Sequence, residues 1–274
     1  MKISYSPLGQ SYKVSGIKSF EEKDVNKESR VQWIIEPQTA SLFTNFQKRK
    51  LKRVLNESQP GQPVLSAFLK ELSVIQENVE LEFDSRGFPW LAVNHQEIWK
   101  KWLYHTGTLN SKFLGEWFEK EMPLITGRIA DQESFLKQML DDFILSELYG
   151  RDIYRIAFDK KTMSCRQNRE EPALGIPLEF SQEYKLSIAP QKDRLEITGY
   201  ADLSKNKAGI RQLCSGKSFR PEDITSIEQR TVYIAQNMEY IPDSIESVFS
   251  INGKNECFKK NRISITVTEL RNYE

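Results

Sequence analysis

Apolar residues recur with two different periods along this chain, and the order of those periods restricts the fold more than any other feature. Near the N-terminus Val31, Trp33 and Ile35 alternate with other residues. Towards the C-terminus Tyr184, Leu186 and Ile188 alternate, as do Leu195, Ile197, Gly199 and Ala201, and then Ile263, Ile265 and Val267. Between these ends the spacing becomes helical: Phe135, Leu136, Met139, Leu140, Phe143, Ile144 and Leu148 fall on one side of a 3.6-residue repeat. Period two makes strands with one apolar face, and period 3.6 makes amphipathic helices. Strands, then helices, then strands predict an α+β fold, an antiparallel sheet formed by the N- and C-terminal strands with a central helical segment against it. An open half-barrel is one form that such a sheet can take. The expectation is a single domain over 1–274, with 1–160 and 172–274 as subdomains in the alternative.

Finer features fit this order. Tyr12 and Val14 predict an earlier strand, and the charged stretch Glu21 to Arg30 a loop or hairpin end. Pro60-Gly61-Gln62-Pro63 is a break, and Val64, Leu65, Phe68, Leu69, Leu72 and Ile75 make a helical stripe after it. Val79, Leu81 and Phe83 alternate, Asp84 to Gly87 turns, and Phe88 to Val93 returns as a hairpin. Asn94 with Glu97 three residues on predicts a capping box, Ser111 a second cap and Asp131 a third, with Gly150 ending the third helix. Ile227 to Ala235 reads as a long strand with Val232 and Ile234 in phase. The polar residues after Asn252-Gly253 predict a loop longer than a two-residue turn.

Composition narrows the function classes. The 39 Lys and Arg balance 38 Asp and Glu, which argues against a general binder of nucleic acid or acidic membrane. Fifteen Phe, ten Tyr and five Trp are too many for a disordered chain. Cys165, Cys214 and Cys257 are odd in number, with no C-x-x-C pair, unlike a secreted disulfide framework. No stretch approaches the roughly 18 apolar residues of a membrane span, and Met1 to Pro7 lacks a signal-peptide core. The chain therefore reads as cytoplasmic.

Candidate chemistry is sparse. The two histidines, His95 and His105, lie near opposite ends of one predicted helix, ~15 Å apart along its axis and unable to share a metal. No G-x-S-x-G elbow is present, and Gly216-Lys217-Ser218 lacks the upstream glycine of a P-loop, having Arg211 there. Asp141 and Asp142 read as the wet side of the third helix. The run from Lys48 to Arg53 is the best nucleic-acid candidate, against an exposed strand edge or helix face as the plain alternative. No cofactor, metal or catalytic residue is predicted.

The span from Val79 to Trp102 places a short strand, a Gly87 turn, a second strand, an Asn94 cap and a Trp-bearing helix in close order. It resembles uncharacterised proteins from Bacteroidota-type bacteria, a resemblance that covers less than a tenth of the chain and implies no activity.

Aromatic residues concentrate in the same region: Trp90, Trp99, Trp102 and Trp117, with Phe88, Tyr104, Phe113 and Phe118. Such a cluster serves either as core or as a recognition surface. The sequence therefore predicts first a non-catalytic protein-binding protein, such as an effector chaperone, a secretion-system adaptor or a toxin immunity protein. Its partner would be another protein, with Trp99, Trp102, Trp117 and Phe118 as the contact surface. The second prediction is a carrier of an apolar, lipid-like small molecule in a half-barrel cavity. An enzyme with an unrecognised site is the third, and nucleic acid is an unexpected partner.

Overall fold

The structure, a computed structural model, describes residues 11–22, 25–37, 47–54, 67–68, 71–72, 74–75, 77–84, 88–149, 162–170, 176–217, 219–236, 242–254 and 256–270. The predicted break at 60–63 and the Gly150 helix stop lie outside these residues, as do Val64, Leu65 and Leu69.

The strands are β1 (Ser11–Glu22), β2 (Val25–Pro37), β3 (Gln47–Val54), β4 (Asn78–Phe83), β5 (Pro89–Ala92), β6 (Thr162–Glu170), β7 (Pro177–Ser187), β8 (Asp193–Ala201), β9 (Ile224–Ala235), β10 (Ser244–Gly253) and β11 (Cys257–Leu270). The helices are α1 (His95–Lys112), α2 (Glu116–Ala130), α3 (Gln132–Leu140), α4 (Phe143–Tyr149) and α5 (Lys207–Cys214), with a 3-10 turn at Pro221–Asp223. The strand order is β5-β4-β3-β2-β1-β11-β10-β9-β8-β7-β6, so the first and last strands are neighbours. The ladders β2 to β5 and β6 to β11 are antiparallel. An antiparallel sheet with added helices is the predicted class.

The chain forms two compact units that interleave in sequence. Unit 1 comprises 1–3, 17–29 and 156–266; unit 2 comprises 4–16, 30–155 and 267–274. In unit 1 the sheet buries Leu178, Phe180, Ala201, Ile227, Phe249 and Ile251 beneath Ile210 and Leu213 of α5. Phe219 and Phe258 stack there with centroids 4.6 Å apart. Gly253 has no room for a side chain, since a Cβ would meet the Phe258 ring at 2.6 Å.

In unit 2, α1 to α4 carry Ile98, Trp102, Phe118, Met122, Ile125, Phe135, Ile144 and Leu148 inward, and the strands bury Trp33, Ile35, Leu51, Val79, Leu81 and Phe83. Gly16 lets β1 lie against α4, because a Cβ there would come within 2.7 Å of Ile144 and Phe143. The helical residues described between 67 and 75 contribute Phe68 and Ile75 to the interior.

Several local expectations change. The third helix is two: α3 ends at Leu140 and α4 starts at Phe143, because the Asp142 carboxylate accepts from the backbone N–H groups of Ile144 and Leu145 and caps a new helix. Asp142 is therefore an inward-facing cap and not a solvated carboxylate. Asp131 caps α3 as expected, accepting from the Ser134 N–H at 2.8 Å. Asn94 does not close a capping box. Its side chain instead accepts from the Glu80 N–H and donates to the Asn78 carbonyl, tying the start of α1 to β4. Ser111 lies in the last turn of α1, and α2 begins after Gly115, whose φ of 120° suits glycine. Glu21 to Arg30 is largely strand, not loop. In β9 the buried phase is Ile227, Gln229, Thr231, Tyr233 and Ala235; of the predicted pair, Val232 is buried as well and Ile234 is half-buried.

Candidate functional site

The predicted contact residues divide by burial. Trp102 is fully buried and donates its indole N–H to the Thr126 hydroxyl at 3.2 Å. Phe118 is buried as well, in an edge-to-face cluster with Phe68 and near Phe113. These two rings are core, because the inward stripe of each helix carries them. Trp99 is half-buried, and Trp117 is 46% exposed while its ring still meets Phe68 edge-on at 5.5 Å. The exposed apolar side chains of this region are Trp90, Val93, Leu103, Tyr104, Leu114, Trp117 and Leu124, of which only Trp117 is a predicted contact residue. Trp117 and Leu124 are seven residues apart on α2, hence on one side of it.

The basic run is a strand inside the sheet. Lys48, Lys50 and Lys52 face one side of β3, and Arg49, Leu51 and Arg53 the other. Lys50 sits directly opposite Glu36 on β2 and Glu80 on β4. Lys48 pairs with Glu82 at 3.8 Å and Lys52 with Glu77 at 3.7 Å. Arg49 is buried, and the Arg53 guanidinium stacks 5.7 Å from the centre of the Trp33 ring. The run is therefore a charge-matched ladder between acidic neighbours, without the free basic stripe that phosphates require.

The histidines do not meet. His95 is buried, with Nε2 2.8 Å from the Ile129 carbonyl and its ring near Phe135. His105 lies half-exposed beside the Tyr104 ring. Among the described residues no group of His, Cys, Asp and Glu could hold a metal ion. Cys214 and Cys257 are free thiols, and burial with nearby Glu222 and Asp223 pushes the Cys214 thiol up. Lys217 of the near-miss phosphate loop pairs with Glu22 at 2.7 Å.

The unusual feature lies on the buried face of β7 to β11 in unit 1. Register places Gln182, Gly199, Gln229, Phe249 and Asn261 in one cross-strand row, and Tyr184, Ile197, Thr231, Ser247 and Ile263 in the next. All ten residues are buried. Beyond them runs an apolar row of Leu186, Leu195, Tyr233, Ile245 and Ile265, and on the other side is the core under α5. A patch of uncharged polar groups thus interrupts a largely apolar face, which also buries Lys259 opposite Ile251 and Asp193 opposite Ala235.

The Thr231 and Ser247 hydroxyls bond each other at 2.9 Å. The Tyr184 hydroxyl donates to Gln182 Oε1 at 2.8 Å, which orients the amide. Gln182 Nε2 has no hydrogen-bond partner, although the residue is only 3% exposed. It lies over Gly199, where a Cβ would be 3.3 Å from Gln182 Cγ and from the Phe180 ring. An unanswered buried donor of this kind costs about 1–3 kcal/mol. The sequence held a signal for this patch: Gln229 and Asn261 fall in phase with the apolar residues of their strands.

Perturbed carboxylates elsewhere have local causes. Burial holds Asp142 above its ordinary value, against the pull of Arg53 and of the N–H groups it accepts from. Hydrogen bonding lowers Asp131 through Ser134, Asp202 through Ser204, Asp223 through the Arg220 backbone and Glu196 through Arg230. None of these assembles an acid–base pair.

No family model matches the sequence, and no curated protein matches it. The chain is similar to a solved structure of lipovitellin described for its lipid–protein interactions, with a TM-score of 0.44 and 11% identity over 97% of this chain and 25% of that one. It therefore spans about a quarter of the lipovitellin chain it matches. It is also similar to Rv2717c from M. tuberculosis, with a TM-score of 0.26 and 7% identity over 97% of this chain and 94% of that one. Likenesses this slight carry no weight for function.

Proposed function

We propose that this protein is a non-catalytic carrier of an apolar, lipid-like ligand held against the buried face of its sheet. One observation carries the reading: the buried face of β7 to β11 is mainly apolar on both sides of an uncharged polar patch with an unanswered amide donor, with Lys259 ending one flanking row. Ligand pockets for such molecules are mostly apolar with a few placed polar groups. The test is saturable binding of the uncharged dye N-phenyl-1-naphthylamine to the full chain, displaced by a medium-chain ester. One-site binding with displacement is expected; absence of saturable binding overturns the carrier.

A second reading keeps a protein partner, favoured by the exposure of Leu114 at 85% beside Trp117, which the Phe68 ring braces. Hot-spot residues combine this kind of exposure with a rigid base. A photo-crosslinking residue placed at Trp117 should give one discrete adduct in cells that make the protein natively. A diffuse pattern, or none, removes this reading.

A further inference from the structure

We propose that the outward face of α2 docks on the same face of a second copy of this chain, the two helices running antiparallel about Leu124; the inference rests on the protein-partner reading and names that partner. Phe118, Met122, Ile125 and Ile129 turn one side of α2 inward. The other side carries Trp117 at 46% and Leu124 at 55% exposure, with Lys120 and Gly127 exposed as well. At about 100° per residue these four fall within about 80° of one another, so they form one outward stripe. A Cβ at Gly127 would meet nothing within 4 Å, so packing inside its own chain does not require the glycine there. What a glycine offers at that place is close approach from outside.

Charge selects the occupant. Glu121 and Arg128 lie on the Trp117 flank of the stripe, about 20° apart around the axis. Neither side chain has a hydrogen-bond or ion-pair partner among the described residues. A two-fold antiparallel pair keeps each flank on its own side. A residue three positions before Leu124 therefore comes opposite one three or four positions after it. Glu121 of each copy then faces Arg128 of the other, once at each end of the contact. Trp117 is one turn from Glu121, so the same guanidinium also lies against an indole ring. Leu124 meets its own counterpart at the centre, and the Lys120 stem crosses Gly127 of the other copy. The opposed helix dipoles favour this orientation. A parallel pair would set Glu121 against Glu121 and Arg128 against Arg128, and a partner of one charge sign would match only one of the two. The stripe is thus complementary to itself in one direction.

The experiment follows the full chain by sedimentation velocity from about 1 to about 100 μM, the range suited to an interface of modest area. Wild type should pass from 32.0 kDa to twice that mass. Glu121→Arg and Arg128→Glu should each weaken association about tenfold or more, since each sets like charges together at two contacts. An equimolar mixture of the two single variants should associate to within about threefold of wild type, because opposite charges meet again at both contacts. A fault in folding cannot produce that recovery. A dimer indifferent to both reversals, or a mixture no stronger than the single variants, overturns the proposal by placing the contact elsewhere. A wild type that stays at 32.0 kDa throughout also overturns it. In that case a discrete adduct of another mass from the crosslinker at Trp117 leaves the protein-partner reading standing with a different occupant, and no adduct ends both. Should a variant not fold, a photo-crosslinking residue at Leu124 in the otherwise wild-type chain decides. Adducts mapped to α2 of the other copy support the proposal, and adducts mapped elsewhere overturn it.

Discussion

In unit 2 the inward-facing carboxylate of Asp142 accepts three N–H groups, from Ile144, Leu145 and the Trp33 indole. In unit 1 the more deeply buried amide of Gln182 makes one hydrogen bond and leaves its Nε2 donor unanswered. Unit 2 has other complete cases: His95 reaches the Ile129 carbonyl, and Asn94 satisfies both β4 and itself. Unit 2 is not complete throughout, since the side-chain carbonyl oxygen of half-buried Gln138 lacks a hydrogen-bond partner. The difference separates two uses of buried polarity. Groups that are fully paired fix helix ends and strand contacts, whereas a donor kept unpaired in an apolar face lowers stability unless something else meets it.

The largest test of the unit 2 side is Trp102. Its ring is core and its indole N–H is paired, so Trp102→Ala should cost about 3–5 kcal/mol in urea unfolding. Trp117→Ala, at a half-exposed ring, should cost about 1 kcal/mol or less. Equal losses would mean that the aromatic helices do not divide into core and surface as described.

Asp142 gives the next effect. Asp142→Ala removes the acceptor for two cap N–H groups and the indole, and should cost about 1–3 kcal/mol. Asp142→Asn keeps an acceptor oxygen and should be nearly neutral at pH 7. The pH dependence follows from the raised folded-state value. Between the ordinary carboxylate value and that raised value, the folded protein holds a proton that the unfolded chain has released. Stability contributed by this group therefore falls as pH rises through that window. Asp131, Asp202, Asp223 and Glu196 act oppositely, since their lowered values give stability that is lost as pH falls. Asp142→Asn should remove the first trend and leave the second, read by chemical denaturation across the acid range.

The strands of both units are legible in the sequence, and the parts that are not have a physical reason. Period-two alternation at Val31 to Ile35 and at Ile263 to Ile265 marks strands that the structure contains, because one face of each is buried. The run Phe135 to Leu148 reads as one helix because the stripe stays in phase across Asp141 and Asp142, although a cap breaks it there. Lys48 to Arg53 reads as a basic patch because the acids that match it come from Glu36, Glu77, Glu80 and Glu82, on neighbouring segments. Trp102 and Phe118 resist assignment since an aromatic ring suits core and contact equally. The Gln182 patch is harder still: its rows exist only across five strands, and cross-strand register is not written in any one segment.

In unit 1 the corresponding test is Gln182→Met combined with Tyr184→Phe. Replacing both partners of a buried bond by apolar groups of similar shape is near neutral or stabilising. The ligand-free double variant should gain up to about 1 kcal/mol in urea unfolding, the opposite sign to Asp142→Ala. A loss of about 2 kcal/mol or more would show that the amide is answered after all, and would erase the difference between the units.

The smallest effect lies on the outer faces, where both units carry ionic ladders. In unit 1, Glu196 receives Arg230 at 2.7 Å and Arg194 at 3.3 Å. In unit 2, Glu82 meets Lys48 at 3.8 Å with looser geometry. Exposed pairs are worth about 0.2–1 kcal/mol, and a carboxylate shared by two guanidinium groups sits at the upper end. Glu196→Gln should therefore cost about 0.5–1 kcal/mol, and Glu82→Gln about 0.5 kcal/mol or less. Raising NaCl from 0.05 to about 1 M should shrink both losses towards zero, since the Debye length drops to about 3 Å. A salt-insensitive loss at Glu82 would place part of its role in packing against the strand and not in charge, and the two units would then differ on their wet faces as they do on their buried ones.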